Sequence, residues 1–269
     1  MQDVTEHRSP SPWRDVAVTG ASSGLGRALA LACASPGARL HLAARNAARL
    51  EETAAACRAA GAEVTATRLD VRDADACEAW IAGMERIDLL LANAGVSGGT
   101  GGGTEPAAQT RAVFETNVNG VLNTALPAMA RMAAQAPGPG GIRGRIGVIA
   151  SIAAFVPAPS APAYAASKAA VQRWAEATDI GQRGQGVRLH AICPGFIRTP
   201  MTDVNRFPMP FMLSPEEAAR RALAGIRAGR SRVAYPRRTY VLARLAALLP
   251  MGLMARAARG VPPKDVSAG

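Results

Sequence analysis

The stretch Thr19-Gly-Ala-Ser-Ser-Gly-Leu-Gly26 separates two segments of different character. Before it, residues 15–19 are apolar and rich in valine, which is typical of a buried parallel strand. After it, apolar side chains recur at helical spacing. Glycines at such a strand-to-helix turn free the backbone and leave room for a phosphate at the helix N-terminus. The pattern predicts that a dinucleotide is bound by Gly20, Ser22, Ser23, Gly24, Leu25 and Gly26.

A second group of residues indicates proton chemistry. Tyr164 and Lys168 are four positions apart, so they lie on one face of a helix. An ammonium near a phenol favours the tyrosinate, and we expect Lys168 to lower the pKa of Tyr164 so that it acts as a general acid or base. Ser151 follows a predicted strand, at the end where open α/β sheets bind ligands. Taken alone, the Tyr–Lys pair could equally be an exposed helical pair.

Strand-like and helix-like segments alternate along the 269 residues without a linker or a repeat. This alternation predicts an α/β fold with one doubly wound parallel sheet. The predicted strands cover residues 15–19, 39–44, 63–69, 87–92, 145–150, 187–193 and 231–235. The predicted helices cover about 24–34, 46–60, 73–83, 105–135, 162–182 and 214–228.

The chain is divided here into a flexible N-terminal segment, 1–13, a nucleotide-binding and catalytic domain, 14–236, and a basic, apolar C-terminal extension, 237–269. No stretch of about 18 residues lacks charges and helix breakers, so no transmembrane helix is expected. The N-terminal segment does not have the pattern of a signal peptide. Four scattered cysteines lack metal-site spacing and indicate small buried side chains in a reducing cytoplasm: Cys33, Cys57, Cys77 and Cys193.

The net charge of +11 is concentrated near the C-terminus, where ten arginines and no acidic residue lie between Arg220 and Arg259. The strongly apolar stretch 240–249 lies within this region. Such a segment could rest on an anionic membrane surface, cover a substrate cleft or pack between subunits. We favour a core or interface helix in an arginine-rich chain. Few aromatics and no nucleic-acid motif are present, so no nucleic acid is expected as a partner. The predicted location is the cytoplasm, with peripheral membrane contact as an option.

Seven motifs in this order resemble the classical short-chain dehydrogenases/reductases, from about Asp15 to Arg230. Besides the glycine turn, Ser151 and the Tyr164–Lys168 pair, they are Leu69-Asp-Val71, Asn93-Ala-Gly95, Asn117-Val-Asn-Gly120, and Pro194-Gly195 with Ile197-Arg-Thr199. The resemblance implies a single-domain Rossmann fold with a seven-stranded sheet. It also implies hydride transfer between NAD(P) and a small-molecule carbonyl or alcohol, by a homodimer or homotetramer.

The resemblance also implies roles for individual residues. Tyr164 would exchange a proton with the carbonyl oxygen, and Ser151 would hydrogen-bond that oxygen. Lys168 would lower the pKa of Tyr164 and hold the nicotinamide ribose, while Asn117 would anchor a water that relays protons. Further cofactor contacts are implied for Asp70, Val71, Asn93, Ala94, Gly95, Pro194, Gly195, Ile197 and Thr199.

The end of the second predicted strand indicates the cofactor. An acidic residue there binds the ribose 2′-OH of NAD, whereas an arginine suits the 2′-phosphate of NADP. Ala44 stands where relatives that prefer NAD carry aspartate, and Arg45 follows it. Because guanidinium matches phosphate geometry, we expect Arg45 to favour NADP(H) over NAD(H). The alternative is that Arg45 is simply one of many arginines.

The segment 201–213 is expected to cover an apolar substrate, a ketone or secondary alcohol of moderate size. The predicted substrate contacts are Phe155, Val156, Phe207, Phe211 and Met212. One alternative is that these side chains only pack the segment onto the core. Another is that Asp203 and Arg206 contact a charged substrate instead. A second class of function is a nucleotide-sensing or membrane-associated binding protein on the same fold. No metal is expected.

Overall fold

A computed structural model describes residues 12–203, 209–258 and 264–266. In these residues a seven-stranded parallel sheet has the order β3-β2-β1-β4-β5-β6-β7. Its strands are β1 Asp15–Thr19, β2 Arg39–Ala44, β3 Glu63–Arg68, β4 Leu89–Ala92, β5 Gly144–Ile149, β6 Val187–Pro194 and β7 Arg232–Tyr235. The predicted Rossmann fold is confirmed.

The central strands are mostly buried and apolar because helices cover both faces of the sheet. In β1, Val16 and Val18 point to one core cluster and Ala17 points to the other. Val16 pairs with Leu40 on one side and with Leu89 on the other, which fixes the register at the middle of the sheet. The two clusters lie on opposite faces of the sheet, as expected for a doubly wound domain.

Helices connect the strands and carry the remaining core residues. They are α1 Gly24–Cys33, α2 Ala47–Ala59, α3 Ala74–Ala82, α4 Ala107–Phe114, α5 Gly120–Ala134, α6 Pro162–Gln182, α7 Pro200–Asp203, α8 Pro215–Arg227, α9 Arg237–Ala246 and α10 Met251–Ala258. Cluster residues of α1, α2 and α8 cover one face of the sheet, and those of α3, α5 and α6 cover the other. None of the described helices has the length and apolarity needed to cross a bilayer.

The helix predicted over 105–135 is confirmed in part, because the helical run 107–134 contains a π-helical turn. A π-helical turn, Glu115–Asn119, separates α4 from α5. This turn places Asn117 fully inside the protein, where its amide is held by groups outside the helix. Such wide turns are frequent at functional sites, and here the tertiary contacts of one side chain outweigh the regular helical spacing.

Both ends of the chain differ from expectation in part. Trp13 was assigned to the flexible segment, but it is buried in the core cluster of β1. Of the favoured interpretation, a core or interface helix, the core part is wrong for α9, because Ala243 is the buried residue of that helix while its large aliphatic side chains are exposed. The interface part stays a prediction. All four cysteines are free and buried, as predicted.

Candidate active site

A cavity of about 650 Å³ opens at the carboxyl ends of the strands. It lies beside the junction of β1 and β4, where the strand order reverses and open α/β sheets bind ligands. Its lining includes the predicted proton-transfer residues Ser151, Tyr164 and Lys168. It also includes the other residues predicted to contact the cofactor: Gly20, Ser22, Ser23, Gly24, Leu25, Gly26, Arg45, Asp70, Val71, Asn93, Ala94, Gly95, Pro194, Gly195, Ile197 and Thr199.

The glycine turn is held closed by the end of β4. Asn93 donates its side-chain amide to the carbonyl of Thr19 at 2.9 Å, and Thr19 Oγ1 accepts from the backbone N–H of Asn93 at 3.0 Å. Gly20 has a positive φ of 66°. A Cβ at Gly26 would lie 2.1 Å from the carbonyl oxygen of Gly20, so the turn closes only with glycine there.

The first turn of α1 fits an anion. Its N-cap, Ser23, makes no side-chain capping hydrogen bond, and no acidic residue occupies the turn. The N–H groups at this helix end and the helix dipole therefore face the cavity without competition from a carboxylate. Together with the close backbone turn, this arrangement fits the pyrophosphate of a dinucleotide.

Two arginines lie at the far end of the same cavity. Arg45 follows β2, and Arg49 lies in the first turn of α2. Asn46 caps this helix by accepting from the backbone N–H of Arg49 at 2.9 Å. Both arginines are exposed and line the cavity. Sequence reasoning missed Arg49, although its spacing of four from Arg45 at a helix start was a usable signal.

A carboxylate at this end is already partnered. Asp70 accepts from the guanidinium of Arg72 at 2.6 Å. That hydrogen bond holds the pKa of Asp70 below its usual range. The Asp70 carboxylate is therefore ionised, and Arg72 offsets part of its negative charge at this end of the cavity.

Ser151 and Tyr164 come together from different elements. Ser151 ends the β5 segment and caps a short 3₁₀ turn, Ile152–Phe155, accepting from the N–H of Ala153 at 3.1 Å. Tyr164 lies in the first turn of α6, which begins at Pro162. Both side chains line the cavity, and the Ser151 hydroxyl lies close enough to Tyr164 to lower its pKa. Two hydroxyl groups thus meet at one point of the cavity, where they can hold the same substrate oxygen.

The expectation that Lys168 lowers the pKa of Tyr164 is not met in the protein alone. Burial raises the pKa of Tyr164, and the nearby Ser151 hydroxyl opposes this effect only in part. The ammonium of Lys168 lies 5.9 Å from the ring centroid of Tyr164 and donates to the carbonyl of Ile149 at 2.8 Å. Burial also lowers the pKa of Lys168 to about 8. Tyr164 therefore keeps its proton, as a proton donor must.

Asn117 belongs to the same cluster. Its Oδ1 accepts from the N–H of Val96 at 2.8 Å, and its Nδ2 donates to the carbonyl of Val96 at 2.9 Å and to Ser167 Oγ at 3.0 Å. A methyl group placed on Gly95 would lie 3.1 Å from Asn117 Oδ1 and 3.4 Å from Lys168 Nζ. The amide and the ammonium thus converge on one segment of backbone. Sequence reasoning missed Ser167, which orients Asn117 from α6.

A second lysine reaches Tyr164 from the C-terminal segment. Lys264 Nζ lies 5.5 Å from the ring centroid of Tyr164 and donates to Ser97 Oγ at 2.6 Å. The N–H of Gly101 donates to the carbonyl of Lys264 at 2.9 Å. Burial lowers the pKa of Lys264. No local sequence signal indicates these contacts, because Lys264 lies 167 positions from Ser97 and 100 positions from Tyr164.

The predicted substrate residues that the structure describes do not line the cavity. Phe155 packs edge-on against Tyr240 of α9, with ring centroids 5.2 Å apart, and lies under the guanidinium groups of Arg232 and Arg244. Val156 beside it is half-buried. Two further candidates lie at the surface or partly below it: Phe211, 47% exposed, and Met212, half-buried. The remaining candidate, Phe207, lies outside the described residues.

Apolar groups do line the cavity near Ser151, from Val96, Ile149 and Met201. Within the described residues, no cluster of His, Cys, Asp and Glu side chains could hold a metal ion. The site therefore combines a dinucleotide cradle, a hydroxyl pair with a lysine beside it, and an apolar wall.

Residues 14–208 match the family model described as short chain dehydrogenase. The chain is 36% identical over 251 residues to an uncharacterized oxidoreductase of Myxococcus xanthus, a match that covers 92% of this chain and 97% of that protein. It is 38% identical over 193 residues to the 2-(R)-hydroxypropyl-CoM dehydrogenase of Xanthobacter autotrophicus, covering 69% of this chain and 75% of that protein.

Two solved structures share the fold over most of the chain. A short chain dehydrogenase/reductase from Burkholderia phymatum, in complex with NAD, has a TM-score of 0.78 at 25% identity and covers 97% of this chain and 100% of its own. A short-chain type dehydrogenase/reductase from Mycobacterium marinum has a TM-score of 0.74 at 26% identity, covering 86% and 97%. This chain therefore belongs to the short-chain dehydrogenase/reductase family, oxidoreductases that act on CH–OH and C=O groups with a nicotinamide cofactor.

Proposed function

We propose that this protein is an NADP-dependent oxidoreductase that moves a hydride between the nicotinamide and an apolar carbonyl compound or secondary alcohol. Tyr164 is its general acid and base. The observation that carries the proposal is that Ser151, Tyr164 and Lys168 line the same cavity as the glycine turn. Cofactor binding and proton transfer can thus take place side by side.

The nicotinamide, when bound, supplies or accepts the hydride, and the protein handles the accompanying proton. In reduction, Tyr164 donates its hydroxyl proton to the substrate oxygen while Ser151 hydrogen-bonds that oxygen. The raised pKa of Tyr164 keeps it protonated until the oxygen gains charge. Lys168, whose pKa is lowered to about 8, then returns a proton to the tyrosinate near neutral pH.

Asn117 holds the elements that carry this cluster together. Its buried amide ties the loop after β4 to α6 through Val96 and Ser167. The same amide lies beside the Lys168 ammonium at Gly95. We propose that Asn117 acts with a water molecule to pass protons to Lys168.

The preference for NADP rests on Arg45 and Arg49. Both guanidinium groups are exposed at the end of the cavity where Ala44 leaves no carboxylate for a ribose hydroxyl. Asp70 already pairs with Arg72. The net positive charge at this end supports binding of a 2′-phosphate, although the Burkholderia phymatum structure is named as a complex with NAD.

The proposed substrate contacts are Val96, Ile149 and Met201, which line the cavity, in place of the aromatic residues predicted from the sequence. Four free, buried cysteines support a reducing, cytoplasmic setting. Exposed Phe114 and Leu126 support assembly as a homodimer or homotetramer, which light scattering would test.

The test measures NADPH consumption over a matched series of ketones with alkyl, aryl or carboxylate groups, beside direct NADPH binding. We expect turnover of alkyl and aryl members, with NADPH preferred to NADH. NADPH binding without turnover of any member would favour the second candidate, a nucleotide-sensing binding protein. Turnover of carboxylated members alone would refute the apolar pocket.

A further inference from the structure

The C-terminal pair of helices, residues 237–256, exposes an unusual amount of aliphatic surface. It consists of α9, the connection 247–250 and the start of α10. Its exposed side chains are Val241 (52%), Leu242 (59%), Leu245 (58%), Leu248 (79%), Leu249 (45%), Met251 (67%) and Leu253 (50%). Single exposed apolar residues need no explanation, but a contiguous group of this size indicates a binding surface.

Helix α9 has a distinct inner and outer side. On the inner side Ala243 is buried, and Tyr240 packs on Phe155 and accepts from Arg232 at 3.0 Å. On the outer side Val241 and Leu245 are one helical turn apart, and their row continues to Leu248 at the bend. The protein thus fixes one face of α9 and leaves the opposite, apolar face without a partner in the described residues.

The same surface is strongly basic. Exposed Arg237 and Arg238 begin α9, and exposed Arg256 lies on α10. The sequence contains no Asp or Glu between Arg220 and Arg259. Aliphatic side chains flanked by arginines match a surface that is apolar below and anionic above.

We propose that this pair of helices docks the protein on the surface of an anionic lipid bilayer, with Leu248 and Leu249 at the bend entering the lipid. Two copies meeting through this face would bring arginines against arginines, since a two-fold contact pairs a patch with itself. A bilayer with acidic headgroups instead supplies the opposite charge and a deformable apolar layer.

Docking would place the catalytic cleft close to the lipid. Phe155, which supports Tyr240, belongs to the 3₁₀ turn that begins directly after Ser151. Helix α9 therefore packs against the turn that directly follows Ser151. This part of the inference rests on the proposed function: the substrate is a carbonyl compound that partitions into membranes.

Co-sedimentation of the full chain with vesicles tests the docking without any turnover. Vesicles of phosphatidylcholine alone are compared with vesicles that also contain phosphatidylglycerol. We expect binding to the anionic vesicles only, weakened by salt. Leu248→Glu should abolish it, whereas Ile180→Glu, at an equally exposed site on α6 (72%), should not. Arg237→Gln should weaken it roughly fivefold, as expected for one cation at an anionic surface, and Arg111→Gln on α4 should leave it unchanged.

Binding that is absent, equal for both vesicle types, or equally sensitive to Ile180→Glu would overturn the proposal. So would a wild-type dimer that Leu248→Glu converts to a monomer while vesicle binding is unchanged. A separate assay compares a vesicle-embedded ketone with a water-soluble one. Leu248→Glu should lower kcat/KM at least tenfold for the embedded ketone only. If no ketone is reduced, the proposed function fails while the sedimentation result still decides the docking.

Discussion

Removing the two arginines at the end of the cavity should change which cofactor is bound. A charge-assisted hydrogen bond to phosphate contributes about 1.5–3 kcal/mol when it is well protected. Arg45 and Arg49 are exposed, so solvent and salt reduce this contribution to about 1 kcal/mol each. Arg45→Ala should therefore weaken NADPH binding roughly fivefold, and the double variant with Arg49→Ala roughly thirtyfold, while NADH binding changes less than about twofold.

Calorimetric titration of NADPH and NADH at low and high salt measures both dissociation constants. Arg58→Ala is the matched control, since this exposed arginine near the end of α2 pairs with Glu51 and does not line the cavity. The loss for the double variant should shrink at high salt, because these are exposed charges. The reasoning is refuted if wild type binds NADH as tightly as NADPH, or if the double variant keeps the wild-type ratio.

Three further changes test the cluster and its support. Asn117→Ala should lower the free energy of unfolding by about 3 kcal/mol in urea titrations, because both backbone polar groups of Val96 lose their partner; a loss below about 1 kcal/mol would contradict this. Gly26→Ala should abolish dinucleotide binding in the same calorimetric assay, because the new Cβ would lie 2.1 Å from a backbone oxygen; retained affinity would contradict the cradle. Burial alone would raise the pKa of Asp179, but hydrogen bonds from Arg188 and its neighbours hold that pKa well below 3.8. Stabilisation by this carboxylate is thus complete above about pH 4 and lost as the pH falls further. Asp179→Asn should be about 3 kcal/mol less stable than wild type at pH 7, and this difference in stability should narrow in acid. A difference that does not change with pH would contradict the titration of Asp179.

Most strands and helices could be predicted because their signals are local. β4 and the middle of β1 are continuous runs of buried apolar residues, and the observed strands begin and end within two residues of the predicted limits. The start of α8 was equally readable: Ser214 accepts from the N–H of Glu217 at 3.1 Å, with proline at the first helical position. Such elements follow from short-range chemistry.

Features set by distant contacts could not be predicted in the same way. The π-helical turn at Asn117 depends on hydrogen bonds to Val96 and Ser167, which lie far away in sequence. The contact of Lys264 with Tyr164 needs the whole fold to bring the C-terminal segment back to the loop after β4. Phe155 was a plausible substrate contact from its position after Ser151, but α9 packs on it instead.

The same limit applies to ionisation. A lysine four residues from a tyrosine predicts a lowered tyrosine pKa, and the spacing itself is confirmed on α6. The side chain of Lys168, however, points its ammonium to the carbonyl of Ile149, and burial raises the pKa of Tyr164. Burial and side-chain direction are properties of the folded protein, so sequence spacing alone does not determine the sign of the shift.

Single-turnover reduction by the Tyr164→Phe variant tests the central claim most directly. The change removes the proton donor and leaves the ring, so NADPH affinity should stay within about twofold of wild type while the rate for the best ketone falls at least about a hundredfold. Tyr240→Phe, on α9 and away from the cavity, should keep the wild-type rate. A Tyr164→Phe variant that retains more than a tenth of the wild-type rate with intact NADPH binding would contradict the assignment of Tyr164 as the acid.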